Sequence, residues 1–138
     1  MGLLKNEKKL AMFEYDFAVD GGAVGAIDLA PKITALEAGM VITDMYLYVE
    51  TAVTSDGSAT VTIGNADADG FMADVFALVG SDDAVVRVGE VAGALMYDDT
   101  NDHLLAYRVG SDVDLQLNIG TAALTDGKFQ LYVEYFAP

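Results

Sequence analysis

The alternation of apolar and polar residues with a period of two is the feature that most limits what this chain can fold into. The runs MVITDMYLYVE at 40–50 and KFQLYVEYF at 128–136 carry large apolar or aromatic residues at every second position, namely Met45, Leu47 and Val49 in the first and Phe129, Leu131, Val133 and Tyr135 in the second. Successive side chains of a strand point to opposite faces of a sheet, so this pattern indicates strands with one buried face. The sequence therefore predicts an all-β protein.

Similar runs recur along the chain, bounded by Gly, Asp and Asn. The predicted strands lie at about 11–18, 24–29, 40–50, 58–64, 84–91, 103–109, 112–119 and 128–136. About eight short strands within 138 residues are typical of an antiparallel β-sandwich with one core. Residues 69–78 are the exception, because their apolar residues recur at helical spacing after Asp69, which predicts one short helix there.

The alternation also assigns the two faces of the strands. One face of the runs at 40–50 and 128–136 is predicted to be core: Met45, Leu47, Val49, Phe129, Leu131, Val133 and Tyr135. The opposite faces carry four aromatic candidates for an interface: Tyr46, Tyr48, Tyr132 and Phe136. A tyrosine side chain suits a protein interface or a platform for stacking on sugars, and a covering layer or loop would account for it equally well.

Two nearly identical segments, TAVTSDG at 51–57 and TAALTDG at 121–127, are each followed at once by an alternating run. The Asp-Gly pair favours a tight reversal of the chain. The two segments are therefore predicted to be hairpin connections of the same kind.

The charge of the chain is strongly negative and unevenly placed. Asp and Glu number 22 against seven Lys and Arg, which gives a net charge of −15, yet Lys5, Lys8 and Lys9 all lie near the beginning. The chain is therefore divided into a basic N-terminal arm at 1–9 and a single β-sandwich domain at 10–138. An anionic body repels phosphate backbones and anionic lipids, so neither nucleic acid nor a membrane is expected as a partner. The arm is either a solvated end or a docking tail. If it is a docking tail, Lys5, Lys8 and Lys9 are further candidates for an interface.

Residues that could carry catalysis are scarce. There is no cysteine, one histidine (His103) and no serine in a nucleophile-elbow context. A hydrolase that uses His103 with a carboxylate from DDTND at 98–102 is the catalytic alternative, whereas the inventory as a whole predicts no enzyme. The lack of cysteine is compatible with synthesis in a reducing cytoplasm.

The motif Asn65-Ala-Asp67-Ala-Asp69-Gly70 matches the first half of a calcium loop, with oxygen ligands at alternate positions and a glycine at the turn. Phe76 stands at the twelfth position, where a bidentate Glu is required, so an EF-hand is not expected. Asn65, Asp67 and Asp69 are candidate ligands for calcium, and the alternative is an Asx turn that caps a short helix. No other cofactor is expected.

The runs YDFAVDGGAVGAIDL and AGMVITDMYLYVETAVTSDGSATVTIG, together with DVDLQLNIGTAALTDGKFQLYVEY, resemble small structural proteins encoded by tailed bacteriophages. The resemblance covers most of the chain. It implies a jelly-roll sandwich that decorates or cements a phage capsid as a homotrimer, in contact with the major capsid protein. The same resemblance fits another virion part, such as a head fibre or a tail component. It also implies a protein made in the bacterial host cytoplasm and located on the capsid surface of the virion. No site residue is implied by it.

The residues themselves also leave open a second function of another class. In a carbohydrate-binding β-sandwich module, the exposed tyrosines would stack on sugar rings and a calcium ion would organise the 65–70 loop.

Overall fold

The computed structural model describes residues 7–138, which form eleven strands and two one-turn helices. The strands are β1 (Lys8–Asp16), β2 (Gly25–Asp28), β3 (Ala30–Ile33), β4 (Val41–Ser55), β5 (Thr60–Gly64), β6 (Val85–Arg87), β7 (Tyr97–Asp98), β8 (His103–Leu104), β9 (Tyr107–Arg108), β10 (Gln116–Gly120) and β11 (Leu124–Phe136). The one-turn helices are Phe17–Asp20 and Val88–Val91. No helix of this part of the chain is long and apolar enough to cross a bilayer.

The strands form two main antiparallel sheets. The large sheet has six strands in the order β3-β1-β11-β4-β6, with β9 also pairing to β4. The small sheet has the order β2-β10-β5, and Met72 extends it by a bridge to Ile63. The first and last strands pair in the large sheet, while the second and the next-to-last pair in the small one. This is the strand arrangement of a jelly roll.

The core lies between the two sheets, and its buried side chains form one continuous cluster. Leu47 and Leu131 of the large sheet and Leu117 of the small sheet are all 0% exposed. The side chains predicted to form the core face of β4 and β11 are all buried, with Tyr135 the most exposed of them at 5%. The predicted all-β sandwich and the predicted core face are therefore confirmed.

The predicted helix over residues 69–78 is wrong. Met72 is instead paired with Ile63, whose backbone amide donates to the Met72 carbonyl at 3.0 Å. Asp74 lies in the same segment, and its carboxylate accepts hydrogen bonds from the backbone amides of Val61 at 2.9 Å and Phe76 at 3.0 Å. Pairing with β5 engages the backbone groups that a helix would need, so tertiary contacts override the helical spacing.

The two predicted hairpin connections are also wrong, because each segment joins one sheet to the other. The first leaves β4 in the large sheet and leads to β5 in the small sheet, and the second leads from β10 back to β11. The two segments instead lie side by side at the end of the β4–β11 pair. The hydroxyl oxygens of Thr54 and Thr125 are 2.8 Å apart, and the Ser55 hydroxyl donates to the Ala123 carbonyl at 2.6 Å.

Four short elements were not predicted. One of them is the one-turn helix Val88–Val91, which takes the place of the second half of the strand predicted at 84–91. Strand β3 lies at an edge of the large sheet and contains Pro31, a residue that edge strands tolerate because its missing amide would face solvent. The two-residue strand β7 pairs with β8. The one-turn helix Phe17–Asp20 follows β1 directly, and the Asp16 side chain accepts from the Ala18 amide at its start.

Candidate assembly surface

The side of the large sheet that faces away from the core carries the residues predicted to form an interface. We call this side the outer face. It consists of the even-numbered residues 8–16 of β1, 44–50 of β4 and 128–136 of β11, together with their neighbours on β3, β6 and β9. One row of cross-strand partners runs across its centre: Ile33, Met12, Tyr132, Tyr46 and Arg87. The row is apolar or aromatic at four positions and ends in one cation.

The centre of this row is a pair of stacked tyrosines. The ring centroids of Tyr46 and Tyr132 are 5.5 Å apart, and their planes are inclined by 22°. The next row along the strands includes Tyr48 and Val85. The Tyr48 hydroxyl donates to the Asp83 carboxylate at 2.7 Å, and this hydrogen bond raises the pKa of Tyr48 because the protonated phenol is needed to donate it.

The structure brings most of the predicted interface residues onto this one face. Phe136 pairs with Lys8 at the end of the β1–β11 pair, on the same side as the stacked tyrosines. Lys9 pairs with Tyr135, so the alternation places it off the outer face. Lys5 lies outside the described residues. Lys8 and Lys9, which were predicted to belong to an arm ending at residue 9, lie within β1.

The outer face is accessible to solvent. Its four aromatic side chains are half-buried, and three large apolar side chains of the face are exposed: Leu10 by 39%, Ile33 by 49% and Val85 by 58%. Sequence reasoning did not select these three. Alternation within β1 would place Leu10 opposite the core, but only the strand pairing brings Ile33 and Val85 beside the tyrosines.

Charged side chains lie on both sides of the central row. On one side, the Lys128 ammonium is 3.2 Å from Glu50, 3.5 Å from Glu14 and 4.0 Å from Asp16. The hydrogen bond to Glu50 is the main cause of the raised pKa of Lys128. On the other side, the Arg87 guanidinium contacts Asp44 at 2.9 Å. This salt bridge borders a shallow cavity of about 290 Å³, lined by Asp44, Tyr46, Val85, Arg87 and Glu134.

The outside of the small sheet differs, because a loop lies over part of it. The carbonyl oxygen of Ala68 accepts hydrogen bonds from the Thr62 hydroxyl at 2.9 Å and from the Asn118 amide at 3.0 Å. Both donors project from the small sheet. The large sheet therefore offers the more open of the two outer surfaces.

The same loop contains the three candidate calcium ligands. The Asn65 side chain is almost completely buried; its Oδ1 accepts from the Asp67 amide at 2.9 Å and its Nδ2 donates to the Tyr107 hydroxyl at 3.2 Å. The hydrogen bond from the Asp67 amide forms an Asx turn. The pKa of Asp67 is raised, mainly because the carboxyl group is partly desolvated and secondly because Asp69 lies beside it. Within residues 7–138, no three His, Asp or Glu side chains are grouped as a metal site would require.

His103 is exposed and lies in β8, where it pairs with Asp98 of β7. The carboxylates beside it organise the turn between the two strands. Asp98 accepts from the Thr100 amide at 3.0 Å and from the Asn101 side chain at 2.8 Å, and the latter bond lowers the pKa of Asp98. The Tyr97 hydroxyl donates to Asp102. Asp98 and Asp102 therefore have a structural role in this turn.

No family model matches the sequence, and no curated protein matches it. Solved structures with a similar fold do exist. A chain of the cyanophage Pam1 capsid asymmetric unit is 13% identical and superposes with a TM-score of 0.66, covering 96% of this chain and 86% of that one. A chain of the acid-stable capsid structure of Helicobacter pylori bacteriophage KHP30 is 18% identical, with a TM-score of 0.60 and coverage of 96% of this chain and 90% of that one. The jelly-roll fold of this chain is thus also found in the capsid structures of two phages.

Proposed function

We propose that this chain is a non-enzymatic virion structural protein that decorates or cements a phage capsid through protein–protein contacts. The observation that carries the proposal is the fold, which extends over 96% of the chain and is shared with chains of two phage capsid structures. In this proposal the protein is made in the cytoplasm of a bacterial host and resides on the capsid surface. A repetitive shell offers identical sites to every copy, which suits a protein that acts by presenting a surface.

We propose that the outer face is the surface that contacts the major capsid protein. Tyr46 and Tyr132 present a large, rigid area, and interfaces are enriched in tyrosine for this reason. The exposed Ile33 and Val85 extend that apolar area towards both edges of the sheet. A homotrimer is the proposed oligomeric state, in which the copies contact each other through surfaces other than the outer face.

Absence of catalysis is the second part of the proposal. It is supported by the position of the single histidine, since His103 lies exposed on a two-stranded hairpin. The neighbouring carboxylate of Asp98 is engaged by backbone and side-chain donors of its own turn. A general acid or base acts best where it is held within reach of the substrate and shielded from water. His103 is instead exposed to solvent on a hairpin.

The test uses shells assembled from the major capsid protein of the phage genome that encodes this chain. Purified chain is mixed with the shells and centrifuged through a sucrose gradient, and native mass spectrometry gives its oligomeric state. We expect the chain to sediment with the shells at a fixed ratio of copies and to be a trimer in solution. A chain that stays at the top of the gradient at every salt concentration would refute the proposal. If a monomer also bound a glycan array, the carbohydrate-binding module would replace it.

A further inference from the structure

We propose that the outer face docks onto a positively charged protein surface, on which arginine or lysine side chains surround an apolar centre. This inference rests on the proposed function and defines the chemistry of the partner. It follows from the distribution of charge around the stacked tyrosines.

The outer face carries more carboxylates than cations. Its outward-pointing charged residues are five acids (Glu14, Asp16, Asp44, Glu50 and Glu134) and four bases (Lys8, Arg87, Arg108 and Lys128). Two of the bases already have acidic partners in the same chain. Lys128 lies among three carboxylates, and Arg87 is bound to Asp44. The excess charge of the face is therefore negative.

Glu134 is the acid best placed to meet a partner. In the strand register it lies between Leu10 and Asp44, and it lines the shallow cavity next to Tyr46. Within the described residues, no Lys or Arg nitrogen lies within 4.0 Å of its carboxylate, whereas such contacts do occur for Glu14, Asp16, Asp44 and Glu50. An incoming guanidinium could pair with Glu134 and at the same time lie over the face of Tyr46.

The charge of the outer face disfavours a second copy as the occupant. An outer face packed against an identical one would bring the excess carboxylates of both copies together. A positive partner surface has the opposite effect: it is attracted over a distance of about one Debye length and is oriented before contact. Charge complementarity thus favours a basic partner over self-association at this face.

Two variants of the same cavity test the proposal, because they change the charge by one unit in opposite directions. Glu134→Gln removes a carboxylate of nearly the same shape, and Arg87→Gln removes the cation that neutralises Asp44. For binding to the assembled shells at low salt, we expect Glu134→Gln to weaken the affinity by about three- to tenfold and Arg87→Gln to strengthen it. The affinity of the unmodified chain should fall as NaCl is added. Asp56→Asn, at an exposed position between β4 and β5, is the control and should change the affinity less than Glu134→Gln.

Shell binding that is insensitive to NaCl and to both variants, or that changes in the reverse sense, would overturn this inference while leaving the proposed function intact. Loss of the oligomer in Glu134→Gln, measured by native mass spectrometry, would show that a second copy occupies the face and would also overturn it. If the unmodified chain fails to bind shells, both proposals fall together. Circular dichroism spectra of each variant establish that the fold is unchanged.

Discussion

Tyr46 of β4 and Tyr132 of β11 stack against each other in the middle of the outer face, with 5.5 Å between their ring centroids. The two residues are direct cross-strand partners, so the contact is fixed by the register of the two longest strands of the chain. Because a stacked pair of this kind is held in place before any partner arrives, little side-chain freedom is lost on binding. This makes the pair the expected centre of the contact with the shell.

Tyr132→Ala should therefore reduce the affinity for the shells by at least about tenfold, as loss of a central aromatic contact does in other interfaces. The stability of the chain should fall only moderately, because Tyr132 is half-buried. Affinity is measured by co-sedimentation and stability by urea denaturation. The matched control is Tyr97→Ala, which removes a tyrosine of the β7–β8 hairpin. Equal loss of binding in the two variants would place the contact elsewhere.

Leu131→Ala should destabilise the chain by about 2–5 kcal/mol, because it leaves a cavity in a fully buried layer. Leu131 is 0% exposed and lies between Phe13 and Leu47 on the neighbouring strands, which are themselves buried. Urea denaturation followed by circular dichroism measures the change. Leu10→Ala, at a position that is 39% exposed, should have a much smaller effect, and a similar loss in both would contradict the assignment of faces.

Gly127→Ala should destabilise the chain by about 2 kcal/mol or more. Gly127 has a φ of 142°, a conformation that residues with a side chain rarely adopt. An added Cβ would also lie 2.8 Å from the Cγ2 atom of Val53 and 3.0 Å from its Cα atom. Gly110→Ala is the control, since an added Cβ there meets no atom within 4 Å. Thermal unfolding of the two variants should differ clearly, and equal midpoints would refute the strain at Gly127.

Tyr15 should make the stability depend on pH in the alkaline range. Its side chain is buried and its hydroxyl donates to the Gly21 carbonyl at 2.6 Å. Burial, with a further contribution from Asp20 and Asp16, raises its pKa from 10.0 to about 12. The unfolded chain thus loses this proton before the folded chain does. The stability contributed by Tyr15 is complete below pH 10 and is lost as the pH rises to about 12, by about 2–3 kcal/mol.

Tyr15→Phe is the variant that isolates this effect. It should lose about 1 kcal/mol at neutral pH with the hydrogen bond to Gly21, and its stability should fall less steeply between about pH 10 and 12. Urea denaturation at a series of pH values gives both quantities. Parallel curves for the two proteins across that range would show that Tyr15 titrates as an ordinary exposed tyrosine.

The core of the sandwich was predictable because the signal is local. Whether Leu47 or Tyr46 faces the core depends on the alternation within one strand, and that alternation is visible in the sequence. The composition of the outer face was only partly predictable. Met12 and Ile33 lie in line with the tyrosines because β1 pairs with both β11 and β3, and no local pattern specifies which strands will be neighbours.

The errors of the sequence reading have the same origin. The apolar residues at 69–78 have helical spacing, yet Phe71 and Met72 are buried through pairing with Ile63. The Asp-Gly pairs at 56–57 and 126–127 suit tight turns, but Asp126 and Gly127 lie within β11. In both cases a contact with a distant part of the chain decides the conformation, and local propensity is a weak guide against it.

The position of β11 also determines when the large sheet can be completed. This strand fills the centre of the large sheet, between β1 and β4, and it is translated after all the other described strands. Until it has been synthesised, β1 and β4 have no partner between them, and the tyrosine pair cannot form. A nascent chain that lacks β11 therefore lacks the centre of the outer face, and the face is completed only when this strand inserts between β1 and β4.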